Sequence, residues 1–323
     1  MPDILSIGEI LIDLIGQDPA DSLADTDAFD RHPGGSPANM ARTAALIGAD
    51  VMMVGCVGDD GFGKLLRDEL RAVGVDTRYI QTPGPSSEGG AVPTTVVLLS
   101  RTMETPDVVV FRRADTQLQL PVVPPEVLSA TRLAHTTSFA LSREPARTAI
   151  LTTLHDAAKA GAQVSLDANY MARIGPDRDT GQSLIREVCG LGALVKVSLD
   201  DIRRIFCAPV EPTDAVQTLH AWGAGLVCLT RGGDGSYVSW ERGSQSADVP
   251  VAPVEVSGDA TGAGDATGAG DATGAGDAFW GGFLTAFLED MSPRKCAERG
   301  ARVAARKLET TGPLTEPFAL HDL

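Results

Sequence analysis

Two short clusters hold the residue types best suited to chemistry. The first is Gly274-Ala275-Gly276-Asp277-Ala278-Phe279, followed by Trp280-Gly281-Gly282-Phe283. Small residues let a backbone come close to a ligand, and successive free amides at a helix start form a positive nest for phosphate oxygens. Gly274, Ala275 and Gly276 are the candidates for that nest. An aspartate in the first helical turn beside it can accept a proton from a hydroxyl attacking a terminal phosphoryl group, and Asp277 stands at that position. Read alone, the run also fits a turn closed by an acidic residue that the helix dipole favours. The second cluster is Gly34-Gly35-Ser36-Pro37-Ala38-Asn39-Met40-Ala41. Its glycines suit a tight turn, and Asn39 suits a helix start.

These clusters need a scaffold, and 323 residues with 43% hydrophobic content suffice for one large core with an appendage. Apolar runs of strand length alternate with helix-period segments, the pattern of strand-crossover-strand units in a parallel sheet. Strands are expected at Asp3–Gly8, Val51–Val54, Leu133–Thr137, Gln163–Asp167, Ala193–Val197 and Leu226–Thr230. Helices are expected at Pro37–Ile47, Gly63–Val73, Glu144–Ala160, Asp277–Leu288 and Pro293–Leu308. Two stretches break the alternation, Ile10–Arg31 and Ala91–Arg113; within the second, Thr94–Leu99 and Val108–Phe111 read as an antiparallel pair. They suit a small second sheet placed as a lid outside the strand ends, or a surface hairpin.

Composition narrows the partners. A net charge of −16 opposes binding to nucleic acid or to an anionic membrane, both of which need a basic surface. No basic segment precedes the first apolar run, and no apolar stretch approaches the roughly 18 residues of a membrane helix. The five cysteines form no C-x-x-C pair, so neither a disulfide framework nor a zinc site is indicated. A cytoplasmic protein is expected.

The two clusters, more than 200 residues apart and in this order, resemble the N-terminal and C-terminal signatures of the ribokinase/PfkB carbohydrate kinases. The resemblance continues through Gly8-Glu9-Ile10-Leu11-Ile12-Asp13, Val57-Gly58-Asp59-Asp60-Gly61-Phe62-Gly63, Ser165-Leu166-Asp167-Ala168-Asn169, Lys196-Val197-Ser198 and Thr230-Arg231-Gly232-Gly233-Asp234-Gly235. It implies a ribokinase-like three-layer α/β/α core with a mostly parallel sheet and a small β-sheet lid. The core would span residues 1–12, 34–90 and 114–323, and the lid 13–33 and 91–113. It implies an ATP-dependent sugar kinase with Asp277 as catalytic base and Gly274, Ala275 and Gly276 as the anion hole. Asp13, Gly34, Gly35, Asn39 and Asn169 would hold the sugar, with Arg112 or Arg113 reaching in from the lid. Lys196, Ser198, Thr230, Gly232 and Gly235 would lie along the nucleotide. Mg²⁺ would accompany ATP, a monovalent cation such as K⁺ is compatible, and a homodimer through the lid is expected.

The sequence departs from the family pattern in three places. Where the family carries Asn-x-x-Glu near its magnesium, this chain has Ser198-Leu199-Asp200-Asp201, which leaves Asp201 as the candidate metal carboxylate. Ala272 follows Asp271 where the family prefers Thr, Pro, Ser or Val. Most unusually, Asp-Ala-Thr-Gly-Ala-Gly occurs three times in tandem, at 259–264, 265–270 and 271–276. Only Asp277 is followed by an apolar helical run; Asp265 and Asp271 are followed by Ala-Thr-Gly, a poor helix former.

Among substrates, the opening and the Gly-Gly-Ser-Pro-Ala-Asn run are most similar to fructokinases. The Ser165–Tyr170 stretch also resembles 2-keto-3-deoxygluconate kinases, although Met171 stands where those place an arginine. A catalytically impaired sugar- or nucleotide-binding relative is the rival from another class. Deleting residues 259–270 is expected to leave turnover largely unchanged, because a glycine-rich excursion costs little closure entropy. Asp277→Ala should abolish phosphoryl transfer and Asp265→Ala should do little; equal losses in a steady-state ADP-release assay would overturn this register, and a gain on deletion would mean that the copies crowd the site.

Overall fold

The computed structural model describes residues 2–86, 89–102, 107–171, 175–206, 210–252, 274–309 and 313–318. The strands are β1 (Ile4–Ile7), β2 (Leu11–Pro19), β3 (Phe29–Gly34), β4 (Val51–Val54), β5 (Val96–Arg101), β6 (Val108–Phe111), β7 (Leu133–Thr137), β8 (Gln163–Asp167), β9 (Leu194–Ser198), β10 (Leu226–Thr230), β11 (Ser236–Trp240) and β12 (Gln245–Val249). The helices are α1 (Ser36–Leu46), α2 (Gly61–Ala72), α3 (Pro125–Ala130), α4 (Ala146–Lys159), α5 (Arg178–Cys189), α6 (Leu199–Ile205), α7 (Pro212–Ala221), α8 (Ala275–Leu288) and α9 (Pro293–Leu308). An eight-stranded sheet runs in the order β12-β11-β10-β9-β8-β7-β1-β4. Its strands from β10 to β4 pair in parallel, and β11 and β12 close one edge antiparallel.

The strands of this sheet are apolar on both faces because both faces are covered, and their residues alternate between two cores with period two. Leu5, Ile7, Met52 and Val54 join Ile150 and Leu154 of α4, Ile185 of α5 and Val216 of α7. Ile4, Val51 and Met53 join Met40 of α1, Leu66 of α2, Phe283 of α8 and Cys296 of α9. This is the expected three-layer arrangement. The six strands anticipated from sequence are present, as are the five helices, with ends shifted by one or two residues. The edge strands β11 and β12 and the helices α3, α5, α6 and α7 went unread, since their apolar periodicity is short or diluted by charge.

The second sheet has four strands in the order β3-β2-β5-β6, built from the stretches that broke the alternation. β5 and β6 pair antiparallel as expected, but β2 and β5 pair in parallel, a crossover that local pattern does not encode. Val97 and Leu99 of β5 and Val108 and Val110 of β6 turn to one side, over the carboxyl ends of the large sheet. The tandem copies at 259–270, which include Asp265, lie outside the described residues, as do Asp271 and Ala272.

Helix α8 packs against both α1 and α9 and is held closely by each. A side chain at Gly281 would come within 3.1 Å of the Thr43 side chain, and one at Gly300 within 2.7 Å of the Phe279 carbonyl. Trp280, wholly buried, stacks on Phe283 with ring centroids 4.6 Å apart. Its indole donates to Ser165 Oγ at 2.9 Å, so the Ser165 proton is left for His135 Nδ1 at 3.0 Å. Burial, then the charge of Lys196, lowers His135 to about 3, which keeps it neutral in that chain. The indole bond therefore fixes the rotation of α8 against β8. Trp280→Phe should lower stability by about 1 kcal/mol for the lost hydrogen bond, with a further packing loss, and Trp280→Ala by about 3–5 kcal/mol. Urea unfolding midpoints check this; a loss in the Trp280→Phe, Ser165→Ala double variant smaller than the sum of the two single losses is the expected signature of the bond.

Candidate active site

The parallel strands deliver their last residues to one end of the sheet. Asp167 ends β8, Ser198 ends β9, Thr230 ends β10, and Glu9 lies two residues beyond β1. The strand order reverses at β1, with β4 on one side and β7 on the other, and ligands bind such sheets at that reversal. An open cleft of about 1160 Å³ occupies the place. Its walls include Asp13, Gly35, Asn39, Asn169, Lys196, Ser198, Asp201, Thr230, Gly274, Gly276 and Asp277, so most of the residues selected from sequence come together there.

Asp277 sits in the first turn of α8 and faces the first turn of α1. Ser36 Oγ donates to its Oδ1 at 2.7 Å, and Asn39 Nδ2 donates to its Oδ2 at 3.0 Å. Two helix N-termini thus converge on one carboxylate, each contributing the positive end of a helix dipole. Gly274 begins α8 in the left-handed region with φ 83° and provides no side-chain cap, so the first amides of α8 are left for a ligand.

Two other glycines are required by contact. At Gly34 an added Cβ would lie 2.1 Å from Asp13 Oδ2, and at Gly35, where φ is 101°, it would lie 2.3 Å from the Glu9 carbonyl. Gly34 therefore makes room for the Asp13 carboxylate and Gly35 for the entry into α1. Asn169 has φ 25°, a region that asparagine tolerates better than most residues.

Behind the first turn of α8 lies a buried ion pair. Lys196 Nζ donates to Asp167 Oδ2 at 2.6 Å across neighbouring strands, and a Cβ at Gly276 would be 3.3 Å from that ammonium. Burial works to lower the pKa of Lys196, but Asp167, Asp277 and Asp201 outweigh it and raise it. Burial raises Asp167 to about 6 against the pull of Lys196. Its Oδ1 is buried without a partner among the described residues.

Several sequence candidates are engaged elsewhere. Arg112 is buried, pairs with Asp115 at 2.5 Å, donates to Ser142 Oγ at 2.8 Å and lies 4.0 Å over the Phe139 ring. Arg113 is exposed, and its amide donates to Thr95 Oγ1. Neither arginine lines the cleft, because the chain leaves β6 there and turns back into the core. Gly232 and Gly235 form the turn between β10 and β11 outside the cleft walls. Asp201 lines the cleft, but its carboxylate accepts from the Tyr170 amide and from the Ser198 amide and hydroxyl, completing a capping box on α6.

Sequence reasoning left out Glu9, Ser36 and Asp167 as site residues, although each lies inside a motif of the chain. Only contacts across the fold single them out. Glu9, 2% exposed, accepts from the Ser36 amide at 3.1 Å and from the Thr137 hydroxyl at 3.0 Å. Burial is the largest influence on it and raises its pKa from 4.5 to about 8. Because the folded chain holds this proton more tightly than the unfolded one, the associated stability is full below pH 4.5 and is lost as pH rises through about 8. The melting temperature should fall across that window, and Glu9→Gln should flatten the fall above pH 6; identical slopes for both proteins in a pH series of thermal melts would refute it.

The profile of the pfkB family carbohydrate kinases matches residues 1–270 and 267–318, two segments that overlap inside the tandem repeat. The chain is 29% identical over 314 residues, 97% of its own length and 90% of the relative, to an ATP-dependent 6-phosphofructokinase of Thermoanaerobacterium thermosaccharolyticum. It is 30% identical to fructokinase-1 of Zea mays over 234 residues, 72% of this chain and 71% of that one. The structure of Halothermothrix orenii fructokinase superposes with a TM-score of 0.77 at 30% identity, covering 93% of this chain and 97% of that one. With the Gly-Gly turn in the first matched segment, the Gly-Ala-Gly-Asp helix start in the second and both at one cleft, the chain belongs to the pfkB family of carbohydrate kinases and is an ATP-dependent sugar kinase.

Proposed function

We propose that this kinase phosphorylates fructose, with Asp277 as the base. The observation that carries the reading is the Asp277 carboxylate, held by Ser36 and Asn39 in the mouth of the cleft beside the uncapped amides of α8. The acceptor hydroxyl gives its proton to Asp277 as its oxygen bonds to the γ-phosphorus; the bond from that phosphorus to the bridging oxygen breaks and ADP leaves. The amides of Ala275, Gly276 and Asp277 take the charge that gathers on the phosphoryl oxygens, and Lys196 beneath them adds a cation. Asp13, Gly35, Asn39 and Asn169 hold the sugar, and the apolar side of the smaller sheet covers it as a lid that excludes water. Ser198 and Thr230 lie along the nucleotide.

Magnesium fits this site. Asp167 lines the cleft, and its Oδ1, without a partner among the described residues, is a hard oxygen of the kind that would hold magnesium directly or through a water. Magnesium supplies charge neutralisation on the triphosphate when bound. That matters here because the cleft carries the carboxylates of Asp13, Asp167, Asp200, Asp201 and Asp277 against the cations Lys196 and Arg204.

The same balance favours a neutral sugar over a phosphorylated one. A second reading, fructose 6-phosphate, rests on a small open pocket that shares Asp13 and Asn39 with the first and is lined by His32, Arg42 and Lys307. Val109 and Phe111 stand 41% and 53% exposed on the outer side of β6, which supports a homodimer through the lid. The buried thiols of Cys56, Cys189, Cys228 and Cys296 support a cytoplasmic setting.

ADP release from Mg·ATP against fructose, 2-keto-3-deoxygluconate, ribose, adenosine and fructose 6-phosphate tests the reading, with K⁺ exchanged for an organic cation in parallel. Fructose should be turned over fastest. Asp277→Ala should cut kcat by about 10²–10⁴-fold with fructose binding retained in calorimetry. Faster turnover of fructose 6-phosphate would favour the second reading; silence on all five, with ATP still bound, would favour a catalytically impaired relative.

A further inference from the structure

The smaller sheet meets the core at one aromatic ring. Phe139, two residues beyond β7, packs with Leu11 of β2 and Val97 of β5, and Val110 of β6 and Met171 lie against this cluster. All five line the cleft, so the apolar side of the smaller sheet touches the core within the cleft itself. Arg112 fixes the ring from a buried position that is not part of the cleft wall. Its guanidinium lies 4.0 Å from the ring centroid and donates to Ser142 Oγ at 2.8 Å, and the Ser142 hydroxyl donates in turn to the Phe139 carbonyl at 2.5 Å. The same cluster ties down the roots of β5 and β6. Arg112 pairs with Asp115, Asp115 accepts from the Thr95 hydroxyl, and Thr95 Oγ1 accepts from the Arg113 amide at 2.8 Å. Thr95 immediately precedes β5 and Arg112 immediately follows β6. One buried network therefore sets where these two strands leave the core and where the ring beneath them stands.

We propose that Phe139 is the seat on which the smaller sheet rests over the bound sugar, and that Arg112 is a positioning residue that holds this seat in register with the roots of β5 and β6. This rests on the reading of the cleft as a sugar site. A guanidinium whose charge is met by a carboxylate and whose face is met by a ring is fixed in place. The seat matters because water competes with the sugar for the phosphoryl group. A water in the acceptor position gives a proton to Asp277 as its oxygen bonds to the γ-phosphorus; the bond to the bridging oxygen breaks, and ADP leaves with inorganic phosphate in place of sugar phosphate. Apolar contact between the sheet and Phe139 keeps that water out while the sugar is held.

The partition of ATP between transfer and hydrolysis tests this, measured as ADP released against sugar phosphate formed with the sugar that the acceptor panel identifies. In the wild type the two amounts should match. In Phe139→Ala, hydrolysis should account for about a tenth or more of the ADP, and KM for the sugar should rise about five- to tenfold while KM for ATP stays within about twofold. Phe139→Leu, which restores an apolar seat, should recover most of the coupling. Arg112→Lys keeps a charge beside Asp115 but loses the planar face under the ring, and should fall between the two. A purely structural role would lower the melting temperature and move neither the partition nor the KM for the sugar. Wild-type coupling and wild-type sugar KM in a folded Phe139→Ala protein overturn the proposal and leave the kinase reading intact. If Phe139→Ala does not fold, Arg112→Lys against the wild type decides by the same two quantities. Absence of turnover on every sugar would be a failure of the kinase reading, and hydrogen exchange of the unliganded wild type and Arg112→Lys would then test the seat directly. Faster exchange in β5 and β6 with α4 and β8 unchanged supports it; equal exchange, or exchange raised throughout the chain, refutes it.

Discussion

The carboxylate of Asp277 is held between two helix N-termini, and the rest of the active end of the molecule is arranged to keep those helices in place. A charge in that position gains from both dipoles and from two hydrogen bonds, Ser36 at 2.7 Å and Asn39 at 3.0 Å, while its open side faces the cleft. The geometry survives only if α1 and α8 neither slide nor rotate. Small residues at their contact fix the separation, and the Trp280–Ser165–His135 chain fixes the rotation of α8 on the sheet. Residues far from the cleft therefore set the direction of the Asp277 carboxylate, and the hydrophobic core under α8 holds the base proposed above in place.

Electrostatics forms the second layer of the design. Many carboxylates crowd one cleft, which in isolation would repel a nucleotide. Lys196 offsets part of that charge at close range to Asp167 and just beneath the first turn of α8. Burying an ion pair is seldom a source of net stability, because desolvation consumes much of the Coulomb gain. Its value here is positional: a cation held on a strand cannot drift, and the amides of α8 are aligned over it. The Gly-Gly turn works the same way by exclusion, since Gly34 leaves the space that Asp13 fills and Gly35 lets the chain pass the Glu9 carbonyl. The smaller sheet adds a cover with an apolar inner side and an apolar outer patch, and its edge strand β6 is short.

Much of this was legible in the chain as written. The alternation of strand-length runs and helix-period segments dictates a parallel sheet covered on both faces, because such strands can only be buried twice. The Gly-Ala-Gly-Asp and Gly-Gly-Ser-Pro-Ala-Asn runs are local devices whose backbone chemistry is readable from residue type, and the apolar stretch after Asp277 picks that aspartate out of the tandem repeat. What tertiary structure alone decided depends on contacts between distant segments. Glu9 became a buried, proton-holding group because α1 and β7 close over it; Asp201 became a helix cap instead of an open carboxylate because Tyr170 and Ser198 reach it first; and Arg112 left the cleft for Asp115 because β6 ends against the core. Desolvation and competition among hydrogen-bond partners fix each of these, and both are properties of a packed volume that no local spacing of residues records.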